Sequence, residues 1–149
     1  MIRDALPADM PRIVEMGRAF NQEAGYSETV PFCEESFTRT AATLGQAGML
    51  LVVDLGDGPI GMAGLDMARA ICNYAIIVSR ETFWYCEPAH RKGLGRELLG
   101  ALEVRAKEKG AAFFDVVAEI GKRDEALARL YRAAQYSPAE RTFRKRLEG

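Results

Sequence analysis

Glu81-Thr82-Phe83-Trp84-Tyr85-Cys86-Glu87-Pro88-Ala89-His90-Arg91-Lys92-Gly93-Leu94-Gly95-Arg96 is the stretch from which the fold is read. Its first part is rich in aromatic and other strand-forming residues, and Pro88 ends it because proline has no N–H to give a ladder. From Leu94 the period changes. Leu94, Leu98, Ala101, Leu102 and Ala106 recur on one helical face, Glu103 and Lys107 can pair on the outer one, and Gly110 stops the helix. Ala112-Phe113-Phe114-Asp115-Val116-Val117-Ala118 then reads as another strand. A strand, a helix and a strand in succession require a parallel pair with a right-handed crossover.

Working outward toward the N-terminus, Met49-Leu50-Leu51-Val52-Val53-Asp54 is a continuous apolar run, short enough for a strand covered on both faces. Asp57-Gly58 separates it from Pro59-Ile60-Gly61-Met62-Ala63-Gly64-Leu65, so the two read as a hairpin. Residues 67–79 show no decisive period and are left open. Residues 2–5 read as a short first strand. A helix follows, with Asp9 as its capping carboxylate and Met10, Ile13, Val14, Gly17, Phe20 and Ala24 in one stripe. A second helix is expected over 34–46, with Phe37, Ala41 and Leu44 on one side. Toward the C-terminus, Gly121 precedes a helix carrying Leu127, Leu130, Tyr131 and Ala134, and residues 141–147 read as a charged closing edge strand. The fold class is therefore a mixed α/β sheet with helices on both faces. No repeat or linker interrupts residues 1–149, so one domain is expected.

Composition narrows the class. A chain of 149 residues with 48% apolar and 28% charged side chains is neither disordered nor a disulfide scaffold. At this size roughly 68–70% of the unfolded surface can leave water, enough for an unstapled core. The net charge of −1 gives no global field favouring nucleic acid or an anionic membrane, even though Arg141, Arg144, Lys145 and Arg146 cluster. The longest apolar run, Tyr74 to Val78, is too short to span a bilayer. Cys33, Cys72 and Cys86 are widely spaced, with one His in the chain, so neither a disulfide framework nor a metal site is encoded. The start, Met1-Ile2-Arg3-Asp4-Ala5, has no secretory pattern. The expectation is a cytoplasmic protein without metal.

The loop between the central strand and its helix carries the chemistry. A helix start leaves N–H groups unpaired and adds partial positive charge. Gly93 and Gly95 let backbone approach a ligand, while Arg91, Lys92 and Arg96 add full charges, which together describe a phosphate or diphosphate site. No Walker loop and no dinucleotide fingerprint is present. Two glycines beside solvated bases also make an ordinary tight turn, and the spacing by itself leaves both readings open.

His90-Arg91-Lys92-Gly93-Leu94-Gly95 resembles the Arg/Gln-x-x-Gly-x-Gly/Ala signature of the GNAT superfamily of N-acyltransferases, with His90 in the Arg/Gln place. Leu130-Tyr131-Arg132-Ala133-Ala134-Gln135-Tyr136 is similar to the family's Leu-Tyr-x-x-x-Gly-Phe segment, with Gln135 for Gly and Tyr136 for Phe. Asp124 stands where an Asn often begins that helix. The resemblance implies a mostly antiparallel sheet splayed between two parallel strands, at 83–87 and 112–118, with acetyl-CoA in the gap. Backbone groups of Trp84, Tyr85 and Cys86 are then expected to meet the pantetheine arm. His90, Arg91, Lys92, Gly93, Leu94, Gly95 and Arg96 are expected to hold the diphosphate.

The activity so implied is N-acetyl transfer to a primary amine of a small molecule or peptide, directly in a ternary complex. The alternative is a CoA-binding module without catalysis, kept open by the departures at His90 and Gln135. Family members are often dimers, so a homodimer is open to this chain. By position Tyr131 is the acid that protonates the departing thiolate, and the competing reading is a packed core aromatic. Glu81 is the expected base, directly or through water, with Glu87 second. Cys86 is not expected to form an acyl intermediate. Glu23, Glu28, Glu34 and Glu35 form an acidic patch on the acceptor side, readable as attraction for a cationic amine or as solvated charge.

Overall fold

The computed structural model describes residues 1–121 and 123–147. The doubly apolar run at 50–53 folds as strand β2 (Leu50–Asp54), and its alternation explains its composition. Leu50 and Val52 enter one core with Ile13, Met16, Ala41, Leu44, Met62, Phe83 and Tyr85. Leu51 and Val53 enter another with Ala63, Leu65, Cys86, Leu98, Leu102 and Ala106. Because every residue of β2 through Val53 has a covered face, no polar position breaks the run.

The remaining elements surround it. Strand β1 is Ile2–Asp4, β3 is Pro59–Ala70, β4 is Asn73–Cys86 and β5 is Phe113–Asp115. Helices are α1 (Met10–Glu23), α2 (Glu34–Gln46), α3 (Arg91–Glu108) and α4 (Asp124–Ala133). The sheet runs β1-β2-β3-β4-β5 in order. Its first three pairings are antiparallel and β4 pairs β5 in parallel. Helices α1 and α2 cover one face and α3 the other. This is the mixed sheet that the strand–helix–strand reading requires. No helix among the described residues is long and apolar enough to cross a membrane.

The open segment 67–79 is the distal part of the β3–β4 hairpin, paired as far as Ala70 and Asn73. It runs past the last β2 partner, Leu50 opposite Gly64, so apart from Met67, which packs on the α3-side core, and the buried Ser79, its side chains have little core to enter. Ile71 and Tyr74 are exposed there, which is why no burial period marks the sequence.

Three expectations are corrected. Asp9 does not cap α1 with its side chain. Its carboxylate is taken by the Arg3 guanidinium, at 2.7 and 3.0 Å, and by the Leu6 N–H at 2.8 Å. A charged bidentate partner outcompetes the neutral amides of a helix turn. Residues 141–147 form no strand. A strand needs a ladder for its N–H and C=O groups, and none pairs with this segment among the described residues, where Phe143 and Leu147 stay exposed. The C-terminal strand of the crossover is also shorter than 112–118, spanning Phe113–Asp115.

The chain forms two compact units, Met1–Val117 and Ala118–Gly149, each described by itself. The first holds the sheet and α1–α3, the second α4.

Arg3 also bonds the Asp54 carboxylate at 2.6 Å, clamping the turn before α1 to the end of β2. The Arg3 hydrogen bond, opposed by desolvation and helped by the Leu6 amide, holds Asp9 below the usual carboxylate range. Asp54 is held low first by the Gly56 amide and then by Arg3. Both folded values lie below the unfolded ones. The stabilisation is therefore complete above about pH 4 and is lost as pH falls through the folded values. Arg3→Met should lower stability at pH 7 by about 1–2 kcal/mol, with the gap from wild type narrowing below about pH 3. Urea unfolding at both pH values measures this, and an unchanged midpoint at pH 7 removes the clamp.

Candidate functional site

The site begins where two strands part. The ladder between β4 and β5 holds only Val78, Ser79 and Arg80 against Phe113, Phe114 and Asp115. On the other side of β4 the register slips between Gly64 opposite Phe83 and Leu65 opposite Glu81, leaving Thr82 as the extra residue of a β-bulge. Bulges bend and twist the strand that carries them. At the fork the Glu81 carboxylate accepts the N–H of Val117 at 3.2 Å, so a side chain takes over where the strand-to-strand ladder stops.

The direction of the backbone groups beyond the bulge follows from alternation. Antiparallel neighbours alternate between pairs that exchange both hydrogen bonds and pairs that exchange none. The Glu87 N–H donates to the Ile60 carbonyl opposite it. Tyr85 and Phe83 therefore turn their amide groups into the β3 ladder, while Trp84 and Cys86 turn theirs toward the β5 side. Of the three residues expected along the pantetheine arm, two face the fork by backbone. Tyr85 instead offers its ring to the α1–α2 core.

A short 3₁₀ turn, Pro88–His90, leads from β4 into α3. The first residues of α3 are not helical throughout: Lys92 has ψ 83° and Gly93 has φ 91° and ψ −33°. Regular helix begins at Leu94. A Cβ on Gly93 would meet nothing within 4 Å, so the glycine is required by its left-handed φ and not by crowding. Gly95 differs. A Cβ there would lie 3.2 Å from Cζ2 of Trp84, whose indole Nε1 donates to the Gly95 carbonyl at 3.0 Å.

The loop cations divide. Lys92 and Arg96 are exposed and make no ion pair among the described residues. Arg91 is turned away: its Nε donates to the Cys86 carbonyl at 2.9 Å, its guanidinium pairs with Glu23 at the end of α1, and it lies 5.5 Å from the Tyr85 ring centroid. His90 donates its backbone N–H to the Glu87 carbonyl and is half-buried. Leu94 packs into the α3-side core.

The acidic patch is largely compensated. Glu23 pairs with Arg91, Glu34 with Arg18 and Glu35 with Arg39, while Glu87 pairs with Arg12 of α1. Burial pushes the Cys86 thiol up despite the opposing Arg91 charge, which disfavours a thiolate nucleophile. Among the aromatic rings Phe20 meets Tyr26, and Phe37 meets both Phe32 and Phe83. Asn21 was not singled out from the sequence. It donates Nδ2 to the Val30 carbonyl at 3.2 Å while its Oδ1 is buried with no hydrogen-bond partner. Arg12, Arg18 and the indole of Trp84 were missed for the same reason: their partners lie far away in sequence.

Tyr131 sits on α4 in the second unit, buried, with its ring 5.8 Å from that of Tyr136. Gln135, in the place of the family's Gly, has φ 70° just past α4. The glycine of the related segment thus corresponds to a left-handed helix exit. Among the described residues no group of three or more His, Cys, Asp or Glu side chains could hold a metal ion.

The model of the Acetyltransferase (GNAT) family matches residues 13–135. No curated protein gives a significant match. Among solved structures, a GCN5-related N-acetyltransferase from Ralstonia eutropha JMP134 is 21% identical, covers 97% of each chain and superposes with a TM-score of 0.77. A "predicted acetyltransferase with acetyl-CoA" from Clostridium acetobutylicum is 16% identical, covering 98% of this chain and 95% of its own, at 0.77. A transcriptional regulator from Bacillus halodurans C-125 is 18% identical, covers 99% of each chain and also reaches 0.77. At such identities the likeness establishes the fold.

Gly93→Ala introduces no clash but strains the backbone, so it should lower stability by about 1–2 kcal/mol in urea unfolding. Equal stability would mean that the left-handed turn at Gly93 is not held in solution.

Proposed function

Because the chain belongs to the GNAT family of acetyltransferases, we propose that it moves the acetyl group of acetyl-CoA to a primary amine of a small molecule or peptide, directly within a ternary complex. The observation that carries this reading is the parting of β4 from β5 immediately after Arg80 and Asp115. Past that point Trp84 and Cys86 turn backbone groups to the β5 side, and α3 begins with a left-handed glycine turn flanked by exposed Lys92 and Arg96. These features suit an extended amide-containing arm ending in a diphosphate: amides for the arm, helix-start N–H groups and two uncommitted cations for the anion.

Acetyl-CoA supplies the acetyl group as an activated thioester. The chain's residues supply the rest. An alkylamine near pKa ~10 arrives protonated, and Glu81, directly or through a water, is the proposed acceptor of that proton. Its position at the fork, already holding the Val117 N–H, favours it over Glu87, which is committed to Arg12. A backbone N–H of β4 near Cys86 is the proposed donor to the developing oxyanion. Tyr131 is proposed to return a proton to the departing thiolate. Direct transfer is preferred to an acyl-cysteine because burial keeps the Cys86 thiol protonated. The buried acceptor Oδ1 of Asn21 on α1 suits an N–H donor on the acceptor side.

We further read residues 1–149 as one domain acting in the cytoplasm, without nucleic-acid or membrane partners and with a homodimer open to it. Net charge −1 and exposed free thiols at Cys33 and Cys72 support that reading. A CoA-binding module without catalysis is the second reading, favoured by Gln135 and His90 in family signature places.

Calorimetry should show saturable binding of CoA and acetyl-CoA, and thiol release across a panel of amines should identify the acceptor. Absence of any binding would reject the reading. Binding without thiol release would select the inactive module. Tyr131→Phe should lower kcat by about 10²-fold while the CoA Kd stays within about twofold, and Glu81→Gln should act likewise. Unchanged turnover in either variant removes that residue from its role.

A further inference from the structure

We propose that the Trp84 side chain is a positioning residue that fixes the first turn of α3 for the diphosphate end of the donor. The proposal rests on the acetyl-CoA reading above. Trp84 is the one tryptophan of the chain. Its main chain belongs to β4 past the fork, where its amide groups turn toward the β5 side. Its indole leaves the sheet on the α3 face, roughly perpendicular to those groups, packing among the α3-side core residues. One residue therefore spans both parts of the donor site.

The indole meets the start of α3 at Gly95. Nε1 donates to the Gly95 carbonyl at 3.0 Å, and the ring lies so close that a Cβ on Gly95 would stand 3.2 Å from Cζ2, 3.8 Å from Cε2 and 4.0 Å from Nε1. Gly95 is the second residue of the regular helix, two positions after the non-helical Gly93. Arg91 and Leu94 anchor the turn to the strand end and the core, whereas Gly93 stands in open space and Lys92 and Arg96 make no ion pair among the described residues. A hydrogen bond to a carbonyl of the turn, with the edge of the indole against Gly95, sets both its height and its rotation. The N–H groups at the start of α3 then point where the β4 strand dictates. The second signature glycine is explained by the same contact. It is small here because the indole needs the room, while Gly93 answers to its φ.

Three measurements separate this role from simple core packing. Hydrogen exchange on the unliganded protein should show faster exchange in Trp84→Phe confined to the amides of residues 93–99. In calorimetry Trp84→Phe should raise the CoA Kd by about 3–10-fold, the loss of one neutral hydrogen bond. Acetylpantetheine, which lacks the diphosphate, should keep its Kd within about twofold by ligand-observed NMR. Gly95→Ala should copy Trp84→Phe in the wild-type background and add little to it in the double variant, since the smaller phenyl ring leaves space for the methyl group. Unchanged or globally raised exchange, or equal weakening of CoA and acetylpantetheine, would overturn the proposal. A wild-type chain that binds no CoA would instead overturn the parent reading, whichever way the exchange experiment falls.

Discussion

Backbone hydrogen-bonding groups must be satisfied, and the fork between β4 and β5 is where the sheet stops satisfying them strand to strand. The bulge at Thr82 bends β4, and the parallel ladder ends two residues earlier, at Arg80. Glu81 stands between these two events with a carboxylate that holds the Val117 N–H. Everything attributed to the site depends on this parting, because a β4 paired along its whole length would give the Trp84 and Cys86 amide groups to β5. The rest of the sheet is arranged to hold the bent strand. Phe83 and Tyr85 are gripped by the α1–α2 core on one face, Trp84 and Cys86 by the α3 core on the other.

The loop at the start of α3 depends on β4 in turn. The cations Arg91, Lys92 and Arg96 are neighbours in sequence, yet they serve different ends. Arg91 is drawn back to the strand end by the Cys86 carbonyl, by Glu23 and by the Tyr85 ring, and so ties α1 to β4. Together with the pairing of Arg12 and Glu87 it secures α1 to the end of the central strand. Lys92 and Arg96 remain exposed. Glu23, Glu34 and Glu35 are similarly committed, so the charge available to a ligand is smaller than a count of Glu and Arg implies.

Family membership and physical argument meet at this loop from separate premises. The signature match identifies a segment, whereas the backbone angles at Lys92 and Gly93 and the contact at Gly95 say why residues of those sizes stand there. Gln135 gives the complementary case. The fold retains a left-handed exit from α4 although the residue is no longer glycine, a conformation that an L side chain adopts at some cost.

The sequence by itself determined what local chemistry controls. The doubly apolar β2, the hairpin signal at Asp57-Gly58, the α2 boundaries and the strand–helix–strand crossover are all legible, since periodicity and turn residues act over a few positions. The glycine turn and its family were legible for the same reason. Tertiary structure alone decided the partners. Asp9 left its capping role for Arg3, Arg91 turned from the loop to Glu23, and the indole of Trp84 claimed Gly95. The distal β3–β4 hairpin carried no pattern because its tip, with Ile71 and Tyr74, is exposed, and 141–147 has strand-like residues without a ladder to join. Such outcomes are competitions between groups on different elements, from six to 68 residues apart, settled by which of them the folded backbone brings within hydrogen-bonding distance.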